Sequence, residues 1–379
     1  MRDAIIVGAG PAGSYLSHLL SKQGYDVLNL EEHEEVGRPV ECTGVVTERV
    51  FRYVRSRSIA NTVSGANIVF PGNRTIKIGK QEKTIVIYRD SFDKDVSGMA
   101  IGTGADLRLG SRVRSVRVND GYAEVEFRES GELISERARI VIGADGANSI
   151  VRKSLYGHRP SRVVSTYQVD ASFTMDDQDS VSVFLGRDFS NGFFGWAVPT
   201  GNITRIGLGS IGKGALPYFL KMIRQFNPEP KILAITGGPI PISYMHRTSG
   251  NRSLLVGDAG GIVKPLTGGG IYTGIVSAYW AARAISEGFE SDRLDQRFLQ
   301  RYEKYWKSEI GRELRIDGMI QKFYAALNDR YLSRLYRSIS SDRSIDIINS
   351  KGDIDYPSKL ALQLFLKNPS IALSFLRGN

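Results

Sequence analysis

The chain has 379 residues, of which 41% are hydrophobic and 24% charged, and it is expected to be a soluble, cytoplasmic globular protein of two or three domains. A single cysteine, Cys42, excludes an internal disulfide, and no run of about 18 apolar residues is present to span a membrane. The net charge of +10 comes without any nucleic-acid recognition motif, so nucleic acid is not an expected partner, and the start shows no signal-peptide pattern.

In chain order, the first element is an apolar strand over residues 3–7, followed at once by Gly8-Ala9-Gly10-Pro11-Ala12-Gly13. A helix is predicted over 12–23, a second strand over 26–30, and Glu31 closes a βαβ unit of about 30 residues. Gly8 makes the tight turn, Gly10 lets backbone approach a pyrophosphate, and Gly13 allows close packing of helix on strand. The helix N-terminus, with Pro11 just before it and Ala12 at its start, offers free N–H groups to phosphates. Glu31 suits a ribose diol, and its neighbour Glu32 is the alternative acid. This pattern alone does not separate NAD from FAD.

Strands are expected within 59–87, and Arg89-Asp90-Ser91-Phe92-Asp93 follows. A strand over 139–142 ends in Gly143-Ala144-Asp145-Gly146, and strands are predicted over 166–173, 180–185, 192–198 and 204–209. A further strand over 253–256 leads into Gly257-Asp258-Ala259-Gly260, then Gly268-Gly269-Gly270 and a long helix beginning at Ile271. That helix would aim its positive end at a flavin pyrimidine. Residues 291–379 read as mostly helical and basic, with an apolar tail over 360–376 that is either a packed helix or an interfacial anchor carrying Lys359, Lys367 and Arg377. The four histidines, at 18, 33, 158 and 246, show no metal-ligand spacing, so no metal is expected.

Taken together, the early fingerprint, the internal Asp145-Gly146 motif and the late Gly257-Asp258 motif resemble the flavoprotein superfamily typified by aromatic hydroxylases and geranylgeranyl reductases. The resemblance implies FAD, with Asp258 on its ribityl or ribose region, Asp145 and Gly146 bracing the pyrophosphate loop, and Arg89 along the cofactor. For Arg89, an ion pair with Asp90 or Asp93 is the alternative. The fold class implied is α/β: a Rossmann-like FAD-binding domain (1–60, 89–160, 247–290), a β-sheet substrate domain (61–88, 161–246) and a helical C-terminal region (291–379).

Gly37-Arg38-Pro39-Val40-Glu41-Cys42-Thr43-Gly44 resembles a loop that lies beside flavin and substrate in geranylgeranyl reductases, which singles out Arg38, Cys42 and Gly44. Phe194-Gly195-Trp196-Ala197-Val198-Pro199 resembles the Tyr-x-Trp-x-Phe-Pro motif of that family, with Phe194 and Val198 departing from it. Phe194, Trp196 and Pro199 are the expected substrate contacts, and Cys42 and Trp196 the residues expected to shape the reaction pocket. The implied activity is reduction of C=C bonds in a prenyl lipid by hydride from flavin N5, in archaeal-type ether lipid synthesis. An FAD monooxygenase or halogenase acting on an aromatic compound is the alternative. No second βαβ fingerprint remains for a nicotinamide, so the donor is expected to be a ferredoxin or a transiently docked NAD(P)H. Peripheral contact with the inner membrane face is also expected.

Overall fold

A computed structural model describes residues 1–360 except 158, 159, 213, 227–229, 357 and 359. The apolar tail expected over 360–376 lies, beyond Leu360, outside the described residues, together with Lys359, Lys367 and Arg377.

The chain opens with β1 (Arg2–Val7), α1 (Pro11–Lys22) and β2 (Val27–Leu30). Pro11 stands in the first turn of α1, where a missing N–H leaves no bond unmade. Next come β3 (Val45–Thr47) and a long hairpin, β4 (Ile59–Phe70) and β5 (Arg74–Ile87), turned at Gly72 and Asn73, both with positive φ. After α2 (Arg89–Ile101) and β6 (Asp106–Arg108), a meander runs through β7 (Arg112–Val118), β8 (Ala123–Glu129) and β9 (Glu132–Gly143). The strand expected over 139–142 is thus the end of a 12-residue strand. Its first half is largely exposed and carries Glu132, Ser135, Glu136 and Arg137, and only the stretch 140–143 is continuously apolar and buried, which is why the earlier part escapes a hydrophobic reading.

The short α3 (Ile150–Leu155) leads to β10 (Val163–Ser172), β11 (Ser180–Phe184), β12 (Gly195–Pro199) and β13 (Thr204–Ile211). Then come α4 (Leu216–Ile223), β14 (Lys231–Thr236) and β15 (Pro239–Pro241), followed by β16 (Ser249–Gly250) and β17 (Ser253–Leu255). The chain continues with α5 (Ile271–Glu290), α6 (Gln296–Trp306), α7 (Arg312–Ala326), α8 (Asp329–Ile339) and α9 (Asp342–Lys351).

Two sheets organise these elements. The first runs β16-β17-β9-β1-β2-β6, with β7 and β8 joined through β9. Its centre, β17-β9-β1-β2-β6, is parallel throughout. Strands buried on both faces need continuous apolar sequence, and β1 and β2 supply it with Ala4, Ile5, Ile6, Val27 and Leu28, all fully buried. Leu16 and Leu20 of α1 and Ile275, Ala278 and Ala282 of α5 fill one face.

The second sheet runs β14-β10-β13-β12-β11-β4-β5-β3, with β15 on β10. Val169, Ala171, Ala197, Ile206 and Leu208 point to one face, where Phe219, Met222 and Ile223 of α4 cover them. By period-two alternation Gln168 and Trp196 point to the other face. In consequence, the glycine-rich turns after β1, β9 and β17 all lie at the carboxyl ends of adjacent parallel strands, where open α/β sheets bind ligands.

Candidate cofactor and substrate site

At the first turn, Gly8 has φ +99° and a Cβ there would stand 2.5 Å from the Ala144 carbonyl oxygen. A Cβ on Gly13 would stand 2.0 Å from the Gly8 carbonyl oxygen. These two glycines are required by the packing of α1, β1 and the 143–146 loop. Gly10 differs: a Cβ there would meet nothing within 4 Å. Its lack of a side chain leaves an open cradle at the N-terminus of α1, a helix with no side-chain cap.

The acid at the end of β2 is Glu31. Its side chain is 13% exposed and its Oε2 accepts from Ala9 N–H at 2.8 Å. Glu32 is 51% exposed and pairs outward with Arg112 at 3.2 Å. The structure therefore brings Glu31, and not Glu32, to the glycine turn.

Asp145 caps α3: its Oδ2 accepts from the N–H groups of Ile150 at 2.6 Å and Val151 at 3.2 Å. Its Oδ1 is buried without a partner, and burial pushes the carboxyl pKa upward despite these bonds. Gly146 adopts φ +69° in the same turn. Arg152, which sequence reasoning passed over, joins this loop to the third one. The buried guanidinium donates to the carbonyl oxygens of Ala147 and, at 2.8 Å, Ala259. An arginine in the apolar helix α3 was the available signal.

The third loop closes on the first. A Cβ on Gly257 would lie 3.3 Å from Ala12 Cβ, and one on Gly274 3.5 Å from the same atom. Asp258 makes no side-chain hydrogen bond among the described residues. Burial pushes its carboxyl up to about 6, against the pull of Arg89 and Arg152. A Cβ on Gly270 would stand 2.7 Å from Asp258 Oδ1, so glycine is needed there. Gly268 has φ +74° beside Ile240 and Phe193, and Gly269 packs on the Lys264 side chain. Ile271 begins α5, whose N-terminus also lacks a side-chain cap.

Arg89 forms a two-point ion pair with Asp93, at 3.1 and 2.8 Å, inside α2. Burial pulls the guanidinium pKa down, but Asp93 and the adjoining Cys42 thiol outweigh it and the net shift is upward. The ion pair weighed from sequence is present, and the same guanidinium also acts electrostatically on Asp258. Arg38 is exposed and pairs with Asp90 at 3.1 Å, at the rim.

The 37–44 loop is anchored to the second sheet. Cys42 Sγ accepts from Gly44 N–H at 3.3 Å. Thr43 Oγ1 and Trp196 Nε1 both donate to Gln168 Oε1, at 2.7 and 2.9 Å. Gly44 has φ +79°, and a Cβ there would meet the Ile87 carbonyl oxygen at 2.6 Å. Trp196 stands edge-on to Phe194 at 6.0 Å, and Phe194 stacks on Phe193 at 4.3 Å. The structure thus ties the loop that carries Cys42 to Trp196 and Phe194, and Phe193 of the same aromatic cluster packs with Ile240 beside Gly268. Pro199 is not brought to it. Three residues on from Trp196, it points to the opposite face of β12, as strand alternation requires.

This arrangement fits a dinucleotide cofactor. It has two uncapped helix N-termini, an open cradle at Gly10, a half-buried acid at the end of β2, and an unpartnered carboxylate at Asp258.

Comparison with known proteins agrees. Residues 1–213 match the family described as FAD binding domain. Digeranylgeranylglycerophospholipid reductase 1 of Methanococcoides burtonii is 30% identical over 89% of this chain and 87% of its own length. The reductase of that name from Thermoplasma acidophilum is 30% identical over 89% of this chain and 91% of its own. The crystal structure of a geranylgeranyl bacteriochlorophyll reductase-like protein from Thermoplasma acidophilum superposes with TM-score 0.87 at 25% identity, covering 100% of this chain and 99% of that one. The chain belongs to the geranylgeranyl reductase family of FAD-binding flavoproteins. It is an FAD-dependent oxidoreductase. A halogenase solved with FAD shares the fold at TM-score 0.67 and 15% identity.

Proposed function

We propose that this flavoprotein saturates C=C bonds in the prenyl chains of archaeal-type glycerophospholipids. The observation that carries the reading is the apolar cluster of Phe193, Phe194, Trp196 and Ile240 beside Gly268, with the Cys42 loop tied to it through Thr43 and Gln168. The relatives named for this reaction support it.

Each group then has a task. The Gly8–Gly13 turn and the free amides of α1 hold the pyrophosphate, and Glu31 accepts from the ribose diol. Asp258 takes its missing hydrogen bonds from the ribityl or ribose hydroxyls. Arg152 and Asp145 hold the three loops in register. When bound and reduced, FAD would supply a hydride to one carbon of the double bond while a proton reaches the neighbouring carbon. The aromatic wall binds an extended hydrocarbon and excludes water. Cys42 and Trp196 shape this pocket through Gln168, and the N-terminus of α5 favours negative charge at the flavin edge. Electrons reach the flavin from a transiently docked donor, a ferredoxin-type carrier or NAD(P)H.

The test is anaerobic incubation of dithionite-reduced holoprotein with an unsaturated digeranylgeranyl glycerophospholipid, followed by mass spectrometry. The expected product gains two hydrogens for each bond saturated. Reoxidation of flavin without any such product, on this lipid and on free geranylgeraniol, would reject the reading.

A further inference from the structure

Exposed apolar side chains are concentrated in one segment. Of the fourteen large hydrophobic residues exposed among the described residues, five lie between 216 and 235: Leu216, Leu220, Ile232, Leu233 and Ile235, each 44–61% exposed. Single exposed hydrophobics are ordinary, but five on two consecutive elements that flank one sheet face point to an interaction surface.

The register explains how the cluster forms. Helix α4 packs Phe219, Met222 and Ile223 against the face of the second sheet that carries Val169 and Ala171, so Leu216 and Leu220 are left pointing outward. Strand β14 is the terminal strand of that sheet. Its Ile232 lies opposite Ala171 and its Ile235 opposite Val169, and cross-strand partners share a face. The same apolar face therefore continues past α4 to the sheet edge, where nothing among the described residues buries Ile232 and Ile235.

Charge indicates the occupant. Among the described residues, α4, its C-cap and β14 carry Lys221, Arg224 and Lys231 and no acid of their own, Lys221 being paired with Asp188. We propose that the α4–β14 surface seats the protein on a lipid surface bearing anionic headgroups, with Leu216, Leu220, Ile232 and Ile235 entering the headgroup–acyl boundary. Apolar anchors ringed by cations have this preference. A second copy of the chain is the poorer occupant, because edge-to-edge pairing of β14 would bring two net-positive segments together.

Position adds a reason for the surface. Ile235 is followed by Thr236, whose hydroxyl donates to the Val40 carbonyl in the loop that carries Cys42. Thr236 also pairs in register with Gln168, which holds Thr43 and Trp196. The apolar patch and the site wall thus lie on opposite faces of the sheet, one residue apart along its edge strand. A prenyl chain leaving the bilayer at β14 has only to round the edge strand to reach the pocket side of the sheet, a point that rests on the prenyl-lipid reading above.

The experiment is co-sedimentation of holoprotein with vesicles of equal parts phosphatidylcholine and phosphatidylglycerol, and with phosphatidylcholine alone. Wild type is expected to bind the mixed vesicles and to bind them less as salt rises. The double variant Leu220→Glu/Ile235→Glu is expected to bind at least about tenfold more weakly, because two apolar anchors are lost. It should keep its flavin absorbance and its activity on detergent-dispersed lipid, while activity on vesicle-embedded lipid falls in parallel with binding. The control Leu133→Glu/Met319→Glu, at exposed hydrophobics elsewhere, should bind as wild type. Unchanged binding by the double variant overturns the proposal, as does a wild type that ignores mixed vesicles or elutes as a dimer which the double variant splits. If neither dispersed nor embedded lipid is reduced by wild type while vesicle binding follows this pattern, the prenyl-lipid reading fails and the docking surface stands.

Discussion

Arg205 reaches from β13 to the carbonyl oxygen of Thr43, donating from Nη1 over 2.6 Å, and the same nitrogen donates to the Ile87 carbonyl at 2.9 Å. One buried guanidinium therefore fixes both the end of the Cys42 loop and the end of β5, two residues before Arg89. Its charge is balanced by Asp170 at 3.6 Å.

Removing this side chain strands two buried carbonyls and leaves a cavity. Arg205→Ala is expected to lower stability by about 2–4 kcal/mol, since buried hydrogen bonds from a charged donor are lost on both sides. Thermal unfolding of the apoprotein reads that loss. Turnover should fall further than stability explains, because Cys42 and Trp196 no longer hold a fixed spacing. Turnover that tracks only the folded fraction would show that Arg205 is structural alone.

Gly10 and Gly13 sit in one turn but should fail differently. A Cβ at Gly13 collides with backbone at 2.0 Å, whereas at Gly10 it meets nothing within 4 Å. Gly10→Val should therefore fold with a wild-type apoprotein melting temperature yet lose the visible flavin absorbance, because the added side chain fills the pyrophosphate cradle. Gly13→Val should lower the melting temperature as well. A yellow Gly10→Val protein would remove this turn from the cofactor site.

The glycine turns were legible in the sequence because their constraints are local: a strand, a turn and a helix in register within about 30 residues. The braces between them were not. Arg205 to Thr43, Thr43 to Gln168, and Arg152 to Ala259 each span more than one hundred residues, and no period or spacing announces such pairs. The choice between Glu31 and Glu32 likewise needed the strand end to be seen, since adjacent residues there point to opposite sides. Pro199 was misplaced for a simpler reason: an odd separation from Trp196 along a strand puts the two on opposite faces.

Asp317 should make stability depend on pH. Burial pushes its carboxyl up from 3.8 to about 7, with Lys264 opposing, and its Oδ1 has no partner. A folded pKa above the unfolded one means that the favourable contribution is complete below pH 3.8 and is lost as pH rises through 7. The loss is at most about 4 kcal/mol. Asp317→Asn should therefore be more stable than wild type above pH 7 and lose that slope. Denaturant midpoints measured on either side of pH 7 check this, and parallel pH curves for the two proteins would exclude it.

Cys42 is the last residue to decide. Its thiol accepts from Gly44 N–H, stands against the Arg89 guanidinium, and belongs to the loop tied through Gln168 to Trp196. None of its contacts holds cofactor phosphate or ribose, so Cys42→Ala should retain FAD. The pocket, however, changes by about one heavy atom, and a change of that size alters discrimination by about tenfold. A prenyl lipid has several similar double bonds, so the change should appear as accumulation of partly saturated products. Cys42→Ser separates shape from chemistry: it keeps the size and the acceptor for Gly44. If Ser restores the wild-type product distribution, Cys42 acts by shape. If Ser behaves as Ala does, the thiol itself contributes. A product profile unchanged in both variants would leave Cys42 as a small side chain filling the loop.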